Sequence, residues 1–374
     1  MNGYRYYTNE HLSTCKQLEL FFPEVEKKDN FVKPLKTYTS IELFAGAGGL
    51  ALGLEQAGIE HVFLNEIDKW ACETLKRNRP EWTVSPEDIK DIDFTQHRDK
   101  VDILSGGFPC QAFSYAGKKL GFNDTRGTLF FEYARAIKEI SPKICLAENV
   151  RGLLNHDNGK TLQGMISVLE ELGYYVVLPR VLKAIHYNVP QKRERLIIIA
   201  IRKDIKQNYN YPLPSTKVYT LKDALKKGDL FTSDVPDSVG QAYPKRKKEI
   251  LSMIPPGGYW RDLPIDIQKE YMLKSFYLGG GKTGMARRIS WDEPCLTLTC
   301  APAQKQTERC HPDETRPFRV REYARIQTFP DDWEFAGSML QQYKQIGNAV
   351  PVNLGKEIGY SLVDFLNKCY TNIR

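Results

Sequence analysis

Residues 39–51 read Thr-Ser-Ile-Glu-Leu-Phe-Ala-Gly-Ala-Gly-Gly-Leu-Ala, an apolar run that leads into three closely spaced glycines. The first part, Thr39–Phe44, has the length and composition of a buried strand. The apolar residues after Gly49 have helical spacing as far as Gly58, where the helix is expected to stop. Because glycine permits the tight turn between a strand and a helix, the stretch predicts the first βα unit of an open α/β sheet.

A second strand, His61–Asn65, follows this helix and ends at Glu66. Together these elements resemble an adenosine-binding half-site, in which the turn lets the ligand approach and the acid accepts hydrogen bonds from ribose hydroxyls. The turn at Gly46, Gly48 and Ala51 also fits the dinucleotide fingerprint, so it does not separate NAD from S-adenosylmethionine. A tight turn with no ligand remains an alternative, because glycine-rich turns after strands are common.

A further apolar run, Val101–Ser105, is followed by Gly-Gly-Phe-Pro-Cys-Gln-Ala-Phe-Ser at residues 106–114. The run predicts a buried strand, and open α/β sheets bind ligands at the carboxyl ends of their strands. Cys110 is therefore a candidate nucleophile, although a free cysteine is commonly a small buried apolar side chain. Other segments of the chain are needed to distinguish a nucleophilic cysteine from a buried apolar one.

A carboxylate follows the predicted strand Ile144–Ala147, at Glu148. It shares a cleft with Cys110 if the two strands are neighbours. Apolar surroundings would raise the pKa of its carboxyl group and suit it to hold or donate a proton. Further along, Arg193 and Arg195 precede the most apolar strand, and they could hold a phosphate or a polar base edge, or simply cap that strand.

The character of the chain changes at about residue 204, where regular strand–helix alternation gives way to turns, tyrosines, prolines and basic clusters such as Lys245–Lys248. This predicts a second domain that presents loops. The basic, glycine-punctuated segment 117–127 suits a lid over an anionic substrate, or is a solvated loop. The segment from Gln345 is expected to open a last helix that ends near Asn367.

The composition is that of an ordinary globular protein of 374 residues, 41% apolar and 26% charged, with a formal net charge of +7. A mild positive charge is compatible with a nucleic-acid partner without requiring one. Eight irregularly spaced cysteines and the lack of a long apolar run indicate a reducing cytoplasm and no membrane segment. Cys295, Cys300, Cys310 and His311 lack the spacing of common zinc sites, so we expect no metal, and residues 295–300 alternate like a strand.

Six segments together resemble the DNA cytosine-5 methyltransferase family, in the family's order and over roughly residues 38–365. They are Phe44–Gly49, Gly107–Ser114, Glu148–Val150, Gln191–Arg195, Arg321–Pro330 and Gly347–Pro351. The resemblance implies a doubly wound, Rossmann-like α/β domain that binds S-adenosylmethionine, with a smaller irregular target-recognition domain. Within that smaller domain, residues 204–286 would select the DNA sequence and take no part in the chemistry. The implied division is an N-terminal extension 1–36, a catalytic domain 37–203, a target-recognition domain 204–334 and a C-terminal return 335–374.

The resemblance also implies the reaction, which is methyl transfer from S-adenosylmethionine to C5 of a cytosine flipped out of the duplex. Cys110 would add to C6 while Glu148 holds a proton at N3, which makes C5 enamine-like. C5 would then attack the methyl group, a base would remove the C5 proton, and Cys110 would depart. Arg195 would hold the O2 edge of the base, and Arg193 would contact phosphate or support the loop.

The implied methyl-donor residues come from several turns. Phe44 would stack on the adenine, Glu66 would bind the ribose and Asp88 the adenine amino group, with Asn348 near the amino-acid end. The other implied donor residues are Gly46, Gly48, Gly49, Ile67, Ile89, Pro109 and Leu129. The implied DNA contacts are Gln111, Ser114 at the target's phosphate, Lys118 and Lys119.

Three alternatives stay open from the sequence. An RNA (tRNA) cytosine-5 methyltransferase uses nearly the same motifs on the same fold, although residues 112–114 and the long variable region favour DNA. A dinucleotide oxidoreductase would share the glycine turn but would leave Cys110, Glu148 and Arg195 unexplained. A catalytically inactive DNA-binding module is disfavoured because the segments around Cys110 and Glu148 are intact.

The architecture carries no appended chromatin-like domains, which is typical of a bacterial restriction–modification enzyme. We therefore expect a monomer that acts on double-stranded DNA in the cytoplasm, at the nucleoid, and protects that DNA from a partner restriction endonuclease. The sequence does not indicate which DNA word is recognised or which cytosine in it is methylated.

Overall fold

A computed structural model describes residues 30–109 and 129–371. Its strands are β1 (Tyr38–Leu43), β2 (Ile59–Asn65), β3 (Val84–Ser85), β4 (Ile103–Gly106), β5 (Ile144–Val150), β6 (Tyr174–Lys183), β7 (Gln191–Lys192), β8 (Glu194–Arg202) and β9 (Cys295–Leu296). Seven of these strands form one sheet in the order β3-β2-β1-β4-β5-β8-β6, and β7 pairs with β9 in a small second sheet.

The α-helices of the described residues flank these strands or follow them. They are α1 (Gly49–Gln56), α2 (Lys69–Asn78), α3 (Leu129–Ile140), α4 (Lys160–Glu171), α5 (Leu221–Leu225), α6 (Lys245–Ser252), α7 (Ile265–Met272), α8 (Val320–Ile326), α9 (Met339–Asn348) and α10 (Val352–Thr371). Short 3-10 turns occur at Ile89–Asp91, Thr95–His97, Arg151–Leu154, His156–Gly159, Ala184–His186, Trp260–Asp262, Leu273–Tyr277 and Lys305–Thr307. None of the helices in these ranges is long and apolar enough to cross a membrane.

The large sheet is mixed, and its parallel part is formed by the strands of the first βα units. Strands β3, β2, β1, β4 and β5 run parallel, whereas β8 lies antiparallel between β5 and β6. Helices cover both faces, which explains why the central strands read as continuous apolar runs rather than alternating ones. The Rossmann-like α/β class expected from the sequence is confirmed.

The order of the strands creates a switch point between β1 and β4. From β1 the chain winds outward to β2 and β3, then returns to β4 and winds the other way to β5. Loops leave such a point in opposite directions, and the crevice between them is where open α/β sheets bind ligands. The two glycine-containing turns predicted to carry function, after residues 43 and 106, both start at this point.

Helix α10 brings the C-terminal part of the chain back onto the first βα unit by packing against α1. The contact depends on glycines, because a Cβ on Gly53 would lie 2.5 Å from the Val352 carbonyl oxygen and one on Gly359 would lie 2.5 Å from Ala57 Cβ. The two helix backbones are therefore almost in contact. This packing fixes the residues just before α10 next to the glycine turn that opens α1.

The buried apolar side chains of the second half of the chain belong to different clusters. Buried side chains between Tyr243 and Cys310 form a core of their own around α6 and α7. By contrast, α5, α8 and α9 contribute to one cluster with α1 and α2. Within the expected target-recognition range, residues 243–286 and Cys310 therefore pack apart from the catalytic helices, whereas Ile289, Cys295 and Leu298 join the cluster that contains α1 and α2.

Two local expectations were wrong. The segment from Gln345 does not open the last helix, because α9 ends at Asn348 and α10 begins only at Val352. Pro351 disfavours helical backbone in the residue before it, so a break is required there. The alternating run after Cys295 continues as a strand for only one more residue, since the Leu298 N–H bonds a side chain instead of a neighbouring strand.

Candidate active site

The carboxyl ends of β1, β4 and β5 lie side by side. Leu43 pairs with Gly106, and Gly106 pairs with Ala147. The next residues along each chain, Phe44, Gly107 and Glu148, therefore follow one edge of the sheet. The strand that leads to Cys110 and the strand that carries Glu148 are neighbours, which is the condition that the sequence hypothesis required.

Glu148 and Arg195 form the central charged pair at this edge. Arg195 Nε lies 2.6 Å from Glu148 Oε1, and both side chains are nearly buried. The other carboxylate oxygen lies over Gly107, because a Cβ on that glycine would be 3.0 Å from Glu148 Oε2. Burial raises the pKa of the Glu148 carboxyl group above its usual range, and Arg195 and Arg193 oppose that rise. An acid held in this way can take up and return a proton at accessible pH.

Asn149 braces the turn beside this pair. Its Nδ2 donates a hydrogen bond to the Phe108 carbonyl oxygen at 2.9 Å, and the Phe108 ring packs against Phe130 and Tyr133 with centroids 5.5 Å from each. Because two strands and helix α3 hold Phe108, the path of the chain into Pro109 is fixed. Sequence reasoning grouped Asn149 with its motif but gave it no role.

Several predicted residues lie outside the part of the chain that the structure describes. They are Cys110, Gln111, Ser114, Lys118 and Lys119, together with the segment 117–127. The described chain reaches Pro109, which is exposed, and resumes at Leu129, which is half-buried at the start of α3. The roles assigned to the five residues stay predictions.

Arg195 on β8 and Arg193, just before that strand, make contacts in different places. Arg195 pairs with Val150 across the β5–β8 ladder, which brings it to Glu148. Arg193 is 1% exposed, and its guanidinium donates to the carbonyl oxygens of Leu298 at 3.1 Å and Gly347 at 2.9 Å. A phosphate could not reach a group buried in this way, so the contacts of Arg193 are those of loop support.

The glycine turn after β1 has one crowded side and one open side. A Cβ on Gly48 would lie 2.7 Å from Leu75 Cδ2, and one on Gly49 would overlap the Val350 carbonyl oxygen. At Gly46, in contrast, a Cβ would meet nothing within 4 Å. Phe44, half-buried, has a left-handed φ of 58°, a strained backbone state typical of functional turns. A ligand could therefore approach the turn from the side of Gly46 and Phe44.

Glu66 ties this turn to the end of β2. Its Oε2 accepts the Gly46 N–H at 2.7 Å and its Oε1 accepts the Asp68 N–H at 2.7 Å. A carboxylate oxygen has a second lone pair, so each could still accept a ribose hydroxyl. Burial raises the pKa of Glu66 above its usual range, with the two backbone bonds opposing the rise. Ile67, the next residue, is exposed at the rim.

Asp88 and Asn348 lie at two other margins of the same region. Asp88 caps the 3-10 turn after β3 and pairs with Lys90 at 3.0 Å, while Ile89 is buried beneath it. Asn348 is exposed at the end of α9, and its Oδ1 accepts a hydrogen bond from Cys300 Sγ at 3.0 Å. Sequence reasoning considered Cys300 only as a zinc ligand and missed this contact with Asn348.

A buried acid under the site was also missed. Glu42 is on β1, opposite Ser105, whose hydroxyl donates to Glu42 Oε2 at 3.2 Å. Burial raises the pKa of Glu42 to about 8. An acid in the middle of an otherwise apolar strand was the signal that could have drawn attention to it.

The residues considered as zinc ligands do not lie together in one site. Cys295 and Cys310 are buried in different cores, and Cys300 is exposed. Within residues 30–109 and 129–371, no group of three His, Cys, Asp or Glu side chains is placed to hold a metal ion.

Known proteins resemble the chain over nearly its whole length. A family model described as C-5 cytosine-specific DNA methylase matches residues 38–364. The Type II methyltransferase M.Eco47II of Escherichia coli is 67% identical over 98% of this chain and 88% of its own length. M.Sau96I of Staphylococcus aureus, also named a Type II methyltransferase, is 57% identical over 90% of this chain and 78% of its own.

A solved structure shows the same fold. It is described as a candidate DNA modification methyltransferase encoded within an Escherichia coli prophage, and it aligns with a TM-score of 0.70 at 23% identity, covering 88% of this chain and 100% of that one. The family match extends over the switch point, the Glu148–Arg195 pair and the return of α10. The resemblance found in the sequence is thus confirmed: the chain belongs to the C-5 cytosine-specific DNA methylase family and is a DNA cytosine-5 methyltransferase.

Proposed function

We propose that this enzyme methylates C5 of a cytosine flipped out of one DNA word, through a covalent bond between Cys110 and C6 of the base. The observation that carries the proposal is the Glu148–Arg195 pair set against Gly107, three residues before Cys110. O2 of cytosine is attached to C2, the ring atom next to N3, so N3 and O2 face the same edge of the base. An acid and an arginine 2.6 Å apart could therefore contact both atoms at once.

The chain's own residues divide the chemistry between them. The Cys110 thiolate adds to C6 while Glu148 gives a proton to N3, so that electron density reaches C5. Arg195 holds O2 and keeps the ring in the plane of Glu148. After methylation a base removes the C5 proton, Cys110 leaves C6, and the N3 proton returns to Glu148. The base has to leave the stack because C6 and N3 are out of reach inside a duplex.

The residues around the switch point fit S-adenosylmethionine, which would supply the methyl group. The open side of Gly46 leaves room beside a half-buried aromatic ring, Phe44, for the adenine. Glu66 has free lone pairs for ribose hydroxyls, and Asp88 is close to the adenine edge in this assignment. Asn348 is on the opposite margin, at the amino-acid end. Gly48 and Gly49 would act by letting α1 and α10 approach the turn.

We infer a restriction–modification role from the relatives, which are named Type II methyltransferases. On this account the enzyme is a monomer that acts on double-stranded DNA in the cytoplasm and protects it from a partner endonuclease. The predicted boundaries, 1–36, 37–203, 204–334 and 335–374, are retained as proposals. The separate core formed by residues 243–286 and Cys310 supports a recognition function for that part.

The substrate can be tested without knowing the recognised word. Plasmid DNA incubated with the enzyme and S-adenosylmethionine should acquire 5-methylcytosine in one short sequence, read by bisulfite sequencing. A parallel reaction with bulk tRNA is expected to show no methyl incorporation. Methylation of tRNA with none in DNA would contradict the proposal and support the RNA alternative.

The recognition role of the second domain is tested by a chimera. Exchanging residues 243–286 for the equivalent segment of a family member with another specificity should move the methylated word. Donor binding should stay within about twofold, since the donor residues lie on other elements. Arginine and lysine contacts with guanine each discriminate by about 1–3 kcal/mol, so a few exchanged side chains suffice. An active chimera that still methylates the original word would place recognition elsewhere, for example in the segment 117–127.

A further inference from the structure

Three fully buried polar side chains, Gln191, Arg193 and Gln327, meet where the catalytic strands contact residues of the second half of the chain. Each is at most 1% exposed. Gln191 Nε2 donates to Gln327 Oε1 at 2.8 Å, and Arg193 follows Gln191 by two residues. We refer to these three side chains as the polar joint.

The polar joint caps the end of helix α9. A helix leaves its last carbonyl groups without intrahelical partners, and other groups have to satisfy them. Gln327 Nε2 donates to the carbonyl oxygens of Ile346 at 2.7 Å and Ala349 at 3.2 Å. Arg193 Nη2 donates to the two carbonyl oxygens between them, those of Gly347 at 2.9 Å and Asn348 at 3.4 Å. Each carbonyl of residues 346–349 therefore accepts a hydrogen bond from a side chain of another segment.

The same joint also holds the segment that follows β9. Gln191 Oε1 accepts the Leu298 N–H at 2.9 Å, and Arg193 Nη1 donates to the Leu298 carbonyl oxygen at 3.1 Å. Two residues later, Cys300 bonds Asn348, and a Cβ on Gly347 would overlap the backbone of Thr299. The segment 298–300 and the turn at Asn348 are thus packed backbone to backbone.

The backbone beside Gln327 extends the joint to α10. The Val352 N–H donates to the Gln327 carbonyl oxygen at 3.0 Å, and the Asn353 N–H donates to Thr328 Oγ1 at 2.9 Å. Gln327 is therefore in contact with the end of one helix and the start of the next. Every side-chain nitrogen of the joint except Arg193 Nε has a hydrogen-bond partner, and a buried network bonded in this way favours a single geometry.

We propose that Gln327 is a positioning residue for the methyl donor: through the polar joint it fixes the turn at Asn348 where the amino-acid end of the donor binds. The inference rests on the proposed function, which places Asn348 at that end of the donor. Gln327 itself is buried behind the turn and does not contact the ligand. Its amide group would act on the turn through the carbonyls of Ile346 and Ala349.

The test is Gln327→Met, which keeps the side chain's length and apolar volume but removes the two donors. The matched control is Gln345→Met. Gln345 is a buried residue of α9 whose side-chain amide bonds Thr74 and Ala336 and not the capped carbonyls. Isothermal titration with S-adenosylhomocysteine measures two quantities, the stoichiometry, which reports the folded fraction, and Kd, which reports the position of the binding groups.

We expect both variants to have a lower Tm, because each loses buried hydrogen bonds. Only Gln327→Met should also raise Kd, by roughly 3- to 30-fold, the size of effect that a residue acting through its neighbours produces. Gln345→Met should keep Kd within about twofold. The assignment is overturned if Gln327→Met lowers only the stoichiometry, or if both variants raise Kd alike.

A second variant covers the case in which Gln327→Met does not fold. Gln191→Met removes the hydrogen bond that orients Gln327 but leaves the capping donors in place, so a smaller rise in Kd is expected. An unchanged Kd there would contradict the inference. If the unsubstituted enzyme itself binds no S-adenosylhomocysteine, the proposed donor site fails, and that result is distinguishable from a failure of the joint alone.

Discussion

The Cys110→Ser variant is expected to show no detectable methyl transfer while it binds S-adenosylhomocysteine with the affinity of the unsubstituted enzyme. The thiolate is the nucleophile in such additions, and a serine hydroxyl has no comparable ionised fraction near neutral pH. The residues assigned to the donor, such as Phe44, Glu66 and Asn348, belong to other turns. Transfer of labelled methyl groups to DNA and titration with S-adenosylhomocysteine measure the two properties separately.

Cys369→Ser is the matched control, because this half-exposed cysteine is on α10 and remote from the switch point. It should retain full activity. Turnover by Cys110→Ser at a rate near that of the unsubstituted enzyme would remove Cys110 from the mechanism. Loss of donor binding in that variant would instead show that the substitution disturbs the fold of the switch point.

Glu148→Gln should lower kcat by about 10²- to 10⁴-fold, the usual contribution of a positioned acid or base. Glutamine keeps the shape and can still bond Arg195 through its carbonyl oxygen, but it has no proton to give to N3. Glu194→Gln is the control, since Glu194 is next to Arg195 in sequence but pairs with the exposed Arg151 at 2.8 Å. A fall in kcat of less than roughly tenfold would contradict the assigned role.

The pH dependence gives a second readout for Glu148. In the proposed mechanism Glu148 works in its protonated form, and burial raises the pKa of its carboxyl group. Activity that depends on it should therefore be present below that raised pKa and decline as the pH rises through it. The decline should be absent from the residual activity of Glu148→Gln. A decline that is identical in the two proteins would belong to another group.

The parts of the fold that could be predicted are those in which one short segment determines its own structure. Thr39–Phe44 and the strand before Gly106 are apolar runs that end in glycine, and the structure places both as central strands. The pairing of β4 with β5 was a condition of the hypothesis for Cys110 and Glu148 and not a prediction, because no local pattern indicates which strands are neighbours. The helix break before Val352 was missed because the helical period was followed through Pro351 although the proline forbids it.

The site was less predictable wherever a role depends on residues distant in the sequence. Arg193 and Arg195 are two residues apart and equally basic, yet one pairs with Glu148 and the other is buried against carbonyl groups. Gln327 is 136 residues from Gln191, so no local pattern indicates their hydrogen bond. The role of Cys110 stays a prediction, because the described chain ends at Pro109 and resumes at Leu129.

The covalent bond to Cys110 is the central claim, and trapping it is the most direct measurement. A long duplex of varied sequence, made with 5-fluorocytosine in place of cytosine, will include the unknown recognition sequence. Because fluorine at C5 cannot leave as a proton does, the covalent adduct on this DNA cannot break down. With S-adenosylmethionine present, we expect a denaturant-resistant protein–DNA complex whose digested peptide carries the modified cytosine on Cys110, as read by mass spectrometry. If unmodified DNA is methylated but the fluorinated duplex gives no such complex, or one attached to another residue, the account is contradicted.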